Sequence, residues 1–164
     1  MTAMDGYDGA PRPREVRPGE YPLWDRALDL VNRDLAALLP GTGPLRLLAL
    51  PPWAAEEDED PREHVYVALP DGRWHGNDLW HGSTASVAAA SAEVAEAAQE
   101  TVMGVLWQVW PVCAEHRLGM HLSQDEDPAV WWCAGGERDP AHARAPVGGL
   151  DAPRRPRGDR RERP

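Results

Sequence analysis

The sequence predicts an α+β fold in which an N-terminal helix and a long Ala-rich helix pack with a small antiparallel sheet, and a hairpin bearing cysteine and histidine closes the chain. Three observations predict it: an apolar row at helical spacing from Trp24 to Leu38, short aliphatic and β-branched runs at 45–50 and 64–69, and an Ala-rich stretch from about Ala85 to Trp110. Apolar residues at steps of three and four line one face of a helix, whereas short apolar runs bounded by proline or glycine suit strands.

Met1 to about Glu20 is rich in Gly, Pro, Asp and Arg, has no apolar period, and reads as a disordered leader over 1–20. In the first helix Trp24, Leu28, Val31, Leu35 and Leu38 share one face, while Asp25, Arg26, Asp29, Asn32 and Arg33 fill the other. Pro40-Gly41 ends it, because proline lacks the amide hydrogen and glycine accepts the turn. Leu45 to Leu50, closed by Pro51-Pro52, reads as a strand. The run Glu56 to Asp60 lacks the alternation and turn glycine of a calcium loop and reads as a solvated acidic loop.

His64 to Leu69 is a second strand, and Pro70-Asp71-Gly72 turns it toward a returning arm at Arg73-Trp74-His75, which makes a hairpin. His75 and His81 stand near Asp78, but no nucleophile is fixed beside them. Ser83 or Thr84 caps the long helix, whose apolar row is Val87, Ala90, Val94, Ala98, Val102, Val105 and Val109. Its small side chains permit close approach to neighbouring elements, so it is the central packing element, and Pro111 ends it.

Both cysteines and three of the six histidines follow within about thirty residues. Cys113 and His116 have the two-residue gap with which one tight turn directs two side chains at a single ion, and Gly119 frees the backbone to leave that turn. Leu118 to Leu122 and Ala129 to Cys133 read as the strands of a hairpin that returns Cys133 to this knuckle. The fourth ligand is His142, with His121 as the alternative. Sulfur and imidazole nitrogen in a closed set of four are the donors of structural zinc, so the segment 111–145 reads as a zinc-knuckle hairpin. Its pattern resembles the two-knuckle logic of small zinc ribbons, over about thirty residues only. An open zinc position served by Glu115 or His121 is the competing, enzymatic reading, although no His-Glu-x-x-His or deaminase signature occurs. Trp107 with Trp110 and Trp131 with Trp132 flank the knuckle; adjacent strand residues point to opposite faces, so one of the latter pair at most enters the core.

The chain has 164 residues, enough for one domain over 21–150 with a core of its own. All 17 basic positions are arginine, phenylalanine is absent and Ala, Gly and Pro abound, which points to a GC-rich bacterial genome. The net charge is -10; six arginines against Asp159 and Glu162 put the tail from Arg154 at +4 and the remainder at -14. The acidic body argues against a nucleic-acid binder, the alternative that the tail alone would carry. The tail itself, 151–164, reads as disordered. No stretch reaches the roughly 18 apolar residues of a membrane span, which leads to a soluble, cytoplasmic protein whose cysteines are thiols or ligands. Phosphate loops and nucleophile elbows are absent, leaving no positive support for an enzyme. The function that fits is a small interaction or regulatory protein of adaptor, subunit, chaperone-like or immunity type, acting on another protein around a structural zinc.

Overall fold

In the computed structural model the described residues are 12–52, 62–136, 139–140 and 144–152. The leader before residue 12, the acidic run Glu56 to Asp60, His142 and the Arg-rich tail from 153 lie outside them. Among the described residues two α-helices, two three-stranded antiparallel sheets and a two-stranded ribbon make a mixed α+β fold.

The first sheet runs β1 (Arg14–Glu15), β2 (Arg46–Leu50), β3 (His64–Ala68), in that order and antiparallel throughout. Leu47, Ala49, Val65 and Val67 alternate into the core, and Tyr66 on the other face stacks on Trp74 at 5.0 Å between ring centroids. Strand β1 lies within the stretch whose composition reads as leader. It is tied down by its ladder to β2, by buried Val16, and by Arg14, which bonds both Glu20 and Glu63. The same guanidinium holds the Glu20 carboxyl down at about 2.

Strand β3 pairs with β2 rather than with the arm 73–75. The turn at Gly72 does close, with the Leu69 amide donating to the Arg73 carbonyl at 2.8 Å. The chain then leaves the strand because Thr101 Oγ1 accepts the His75 amide at 3.2 Å, and it returns to β3 where Asp78 Oδ2 meets His64 Nδ1 at 2.8 Å and the Leu79 amide donates to the Val65 carbonyl at 2.7 Å.

Helix α1 (Pro22–Leu38) begins on proline, whose missing amide hydrogen costs nothing in a first turn. Trp24, Ala27, Leu28, Val31 and Leu35 are its buried face. Asn32, on the polar side of the periodicity, brackets the backbone of Leu45: its Nδ2 donates to the carbonyl at 3.0 Å and its Oδ1 accepts the amide at 2.7 Å. That pair of bonds sets where β2 starts.

A short 3-10 helix, His81–Ala85, precedes α2 (Val87–Leu106). Ser83 is buried there, accepting the Trp24 indole N–H at 2.8 Å, so the cap of α2 falls to Ser86, whose hydroxyl accepts the Ala89 amide. The helix stops at Leu106, four residues short of Trp110. Trp107 takes a left-handed conformation (φ 54°), and the residue before Pro111 is disfavoured in a helix. Trp110 turns inward instead, edge-on to Trp131 at 5.5 Å. Buried Ala90, Val94, Ala95, Ala98 and Val102 face α1 and the sheet, the close approach that small residues allow.

The second sheet is built from β4 (His121–Ser123), β5 (Val130–Trp132) and β8 (Arg144–Pro146) in the order β4-β5-β8, and between β5 and β8 in sequence a separate two-stranded ribbon pairs β6 (Gly135–Gly136) with β7 (Asp139–Pro140). The second sheet is anchored to α1 through Asp34. This buried carboxylate accepts the Trp131 indole N–H at 2.8 Å and the Gly148 amide at 2.7 Å on Oδ2, and the Leu150 amide at 2.9 Å on Oδ1. Burial pushes its carboxyl up, against the pull of all three donors.

Candidate metal centre

Between the end of α2 and β4 the chain folds back on itself as a narrow ribbon. Val112 bridges Gly119, the Cys113 amide donates to the Leu118 carbonyl at 2.8 Å, and the Met120 amide to the Pro111 carbonyl at 2.8 Å. The tip is a tight turn closed by the Arg117 amide on the Cys113 carbonyl at 2.9 Å. Arg117, at φ 56°, supplies the left-handed residue this turn needs. Gly119, which spacing suggests for that task, serves another: a Cβ there would lie 2.8 Å from Val109 Cγ1, so its small size admits the chain leaving α2. Gln99 on α2 holds the base of the ribbon, its Nε2 reaching the carbonyls of Trp110 at 3.2 Å and Met120 at 3.0 Å.

The turn presents Cys113 and His116 to Cys133, which lies just past β5. The ligand atoms of these three residues lie within 4.8 Å of one another, a group that could hold a metal ion. His116 Nδ1 is 3.8 Å from Cys113 Sγ and 3.6 Å from Cys133 Sγ. A ring nitrogen has one in-plane site for a hydrogen bond and cannot serve two thiols well. Two sulfurs converging on it suit a shared ion: with zinc–sulfur and zinc–nitrogen bonds of ordinary length, a tetrahedral edge between S and N is about 3.6 Å. Cys113 and Cys133 are not joined in a disulfide and are 2% and 0% exposed, and His116 is half-buried.

Cys133 has a further contact that spacing alone does not announce. Gly135, left-handed at φ 74°, turns its amide back onto Cys133 Sγ at 3.4 Å. An N–H aimed at sulfur favours the thiolate, the form that binds metal. The signal in the sequence is the glycine two positions beyond the cysteine.

His121 is not a member of the ligand group. It is exposed on β4, with its ring on Trp132 at 4.9 Å. Glu115 sits exposed on the knuckle turn. Of the tryptophans that flank these residues in sequence, Trp110 and Trp131 are buried and Trp107 is 92% exposed. Farther off, Asp78 engages His64 (Nδ1 to Oδ2, 2.8 Å) rather than His75 or His81, and His81 Nε2 lies 3.0 Å from the Glu63 carbonyl. Among the described residues no helix is long and apolar enough to cross a membrane. No protein-family model, curated protein or solved structure matches the chain.

Proposed function

We propose that the chain is a zinc-binding interaction or regulatory protein whose ion is structural. The observation that carries this reading is the convergence of Cys113 Sγ and Cys133 Sγ on His116 Nδ1 at 3.8 and 3.6 Å, close to the edge of a zinc tetrahedron. Two thiolates and an imidazole select a thiophilic ion over calcium or magnesium, which take oxygen. His142 supplies the fourth donor in this reading, with His121 as its alternative. Filling all four positions with protein leaves no site for a reacting water, which is why a structural role is preferred to a catalytic one.

Beside the centre, Trp107 is 92% exposed, with Met103, Val109 and Leu118 also exposed around the end of α2 and the knuckle. Aromatic and methionine side chains on a surface suit contact with another protein. A partner protein, a reducing cytoplasmic setting that keeps both cysteines out of a disulfide, and a bacterial source belong to this same reading.

Elemental analysis of the purified chain tests it. One zinc per chain, lost in Cys113→Ala together with the fold of the knuckle, is the expected result. A metal-free protein that is fully folded would sink the proposal.

A further inference from the structure

The geometry of the centre bears on oxidation as well as on metal, an inference that rests on the zinc reading above. Cys113 Sγ and Cys133 Sγ lie within 4.8 Å of each other, and a disulfide requires them to close to about 2.05 Å. His116 contacts both sulfurs and is the one member of the group that is not fully buried. It is therefore the most solvent-accessible donor of the three. The two sulfurs also differ: Gly135 donates its amide to Cys133 Sγ, and among the described residues no backbone amide does so for Cys113 Sγ. Hydrogen bonding to a thiolate lowers its nucleophilicity, which leaves Cys113 the more reactive.

We propose that the centre is a peroxide-responsive zinc switch, in which a hydroperoxide joins Cys113 to Cys133 and the ion is released. With hydrogen peroxide, the Cys113 thiolate attacks one oxygen, the O–O bond breaks, Cys113 becomes a sulfenic acid and hydroxide leaves. The Cys133 thiolate then attacks the Cys113 sulfur; the S–S bond forms, the S–O bond breaks and a second hydroxide leaves. Two electrons pass from the sulfurs to the peroxide, and each hydroxide takes a proton from solvent to become water. Zinc, stripped of both sulfur donors, dissociates, since nitrogen alone holds it weakly here.

The consequence reaches beyond the two cysteines. The ribbon that presents Cys113 is fixed to α2 by Gln99 and continues directly from exposed Trp107, so loss of the ion loosens the surface that the partner would contact.

The test uses the full chain, first assayed for zinc under reducing conditions and then titrated with hydrogen peroxide. Zinc release is read with a chromogenic chelator, thiols by denaturing titration, and connectivity by peptide mapping. One zinc released for every two thiols lost, a Cys113–Cys133 crosslinked peptide, and recovery on adding dithiothreitol and zinc are the expected results. Retention of zinc with both thiols intact overturns the switch and leaves structural zinc standing. Sulfinic acids without the crosslink, or a crosslink between chains, overturn it as well. Protein that holds no zinc before peroxide is added overturns the underlying zinc reading and the switch with it.

Discussion

The Asp34 carboxylate accepts the indole N–H of Trp131 at 2.8 Å across 97 positions of sequence, and it is the point at which α1 is fastened to the C-terminal sheet. Trp131 is in turn packed edge-on against Trp110, the residue that opens the knuckle ribbon. The placement of the Cys113, His116 and Cys133 group therefore depends on a residue far from it in the chain.

Asp34→Ala leaves the N–H groups of Trp131, Gly148 and Leu150 unpartnered in the interior. Each orphaned donor costs about 1–3 kcal/mol, so a loss of at least roughly 3 kcal/mol is expected in urea unfolding. The pH dependence has a definite sign. Burial raises the folded carboxyl above its ordinary value of 3.8, so the native state holds the proton more tightly than the unfolded chain. Its contribution to stability is greatest below 3.8 and declines as pH rises through the raised value. The difference in unfolding free energy between wild type and Asp34→Asn, followed upward from pH 3, should show that decline; a flat difference would contradict it.

Gly148→Ala attacks the same junction from the backbone side. Gly148 has φ 89°, and a Cβ there would lie 2.9 Å from Leu30 Cβ and 3.2 Å from its Cα, against the body of α1. Left-handed strain and overpacking add, for an expected loss of about 2–4 kcal/mol in chemical denaturation.

Gln99→Ala removes the donor shared by the Trp110 and Met120 carbonyls at the base of the knuckle. Gln99 stands outside the Cys113, His116 and Cys133 group and acts on it through the ribbon backbone, as a positioning residue. Zinc affinity measured by competition with a chelator should fall about tenfold, while the helix content read by circular dichroism stays unchanged.

Trp107→Gly is expected to stabilise the isolated protein. A bulky residue at φ 54° pays a steric cost that glycine avoids, worth about 1 kcal/mol, and with 92% of the side chain exposed there is little packing to lose. A melting temperature raised by roughly 2–6 °C would agree with this. If partner binding falls in the same variant, the strain at this position is retained for contact rather than for folding.

The apolar rows were the legible part of the fold. Trp24, Leu28, Val31 and Leu35 can be read as one helix face because their burial needs no partner to be known, and the same holds for the alternation in β2 and β3. Polar residues with structural tasks were hidden. Asp34 and Asn32 look like solvent-facing positions in a periodicity, yet one is fully buried and the other sets the start of β2, because their partners come from remote segments. Strands β1 and β8, of two and three residues, carry too few side chains to show a period. At the centre, Cys113 and His116 were readable because two residues of spacing place both on one turn. The exchange of roles between Gly119 and Arg117 was not, since arginine carries no mark of a left-handed backbone.

The separation of Asp34 from its donors also orders events during synthesis. The helix that contains it is complete early, but the amides of Gly148 and Leu150 are made 114 and 116 residues later. At about 5–20 residues per second, translation leaves that carboxylate waiting roughly 6–23 s for its last partners. Until those amides arrive, an ionised Asp34 on α1 lacks the backbone donors that accompany its burial in the folded chain.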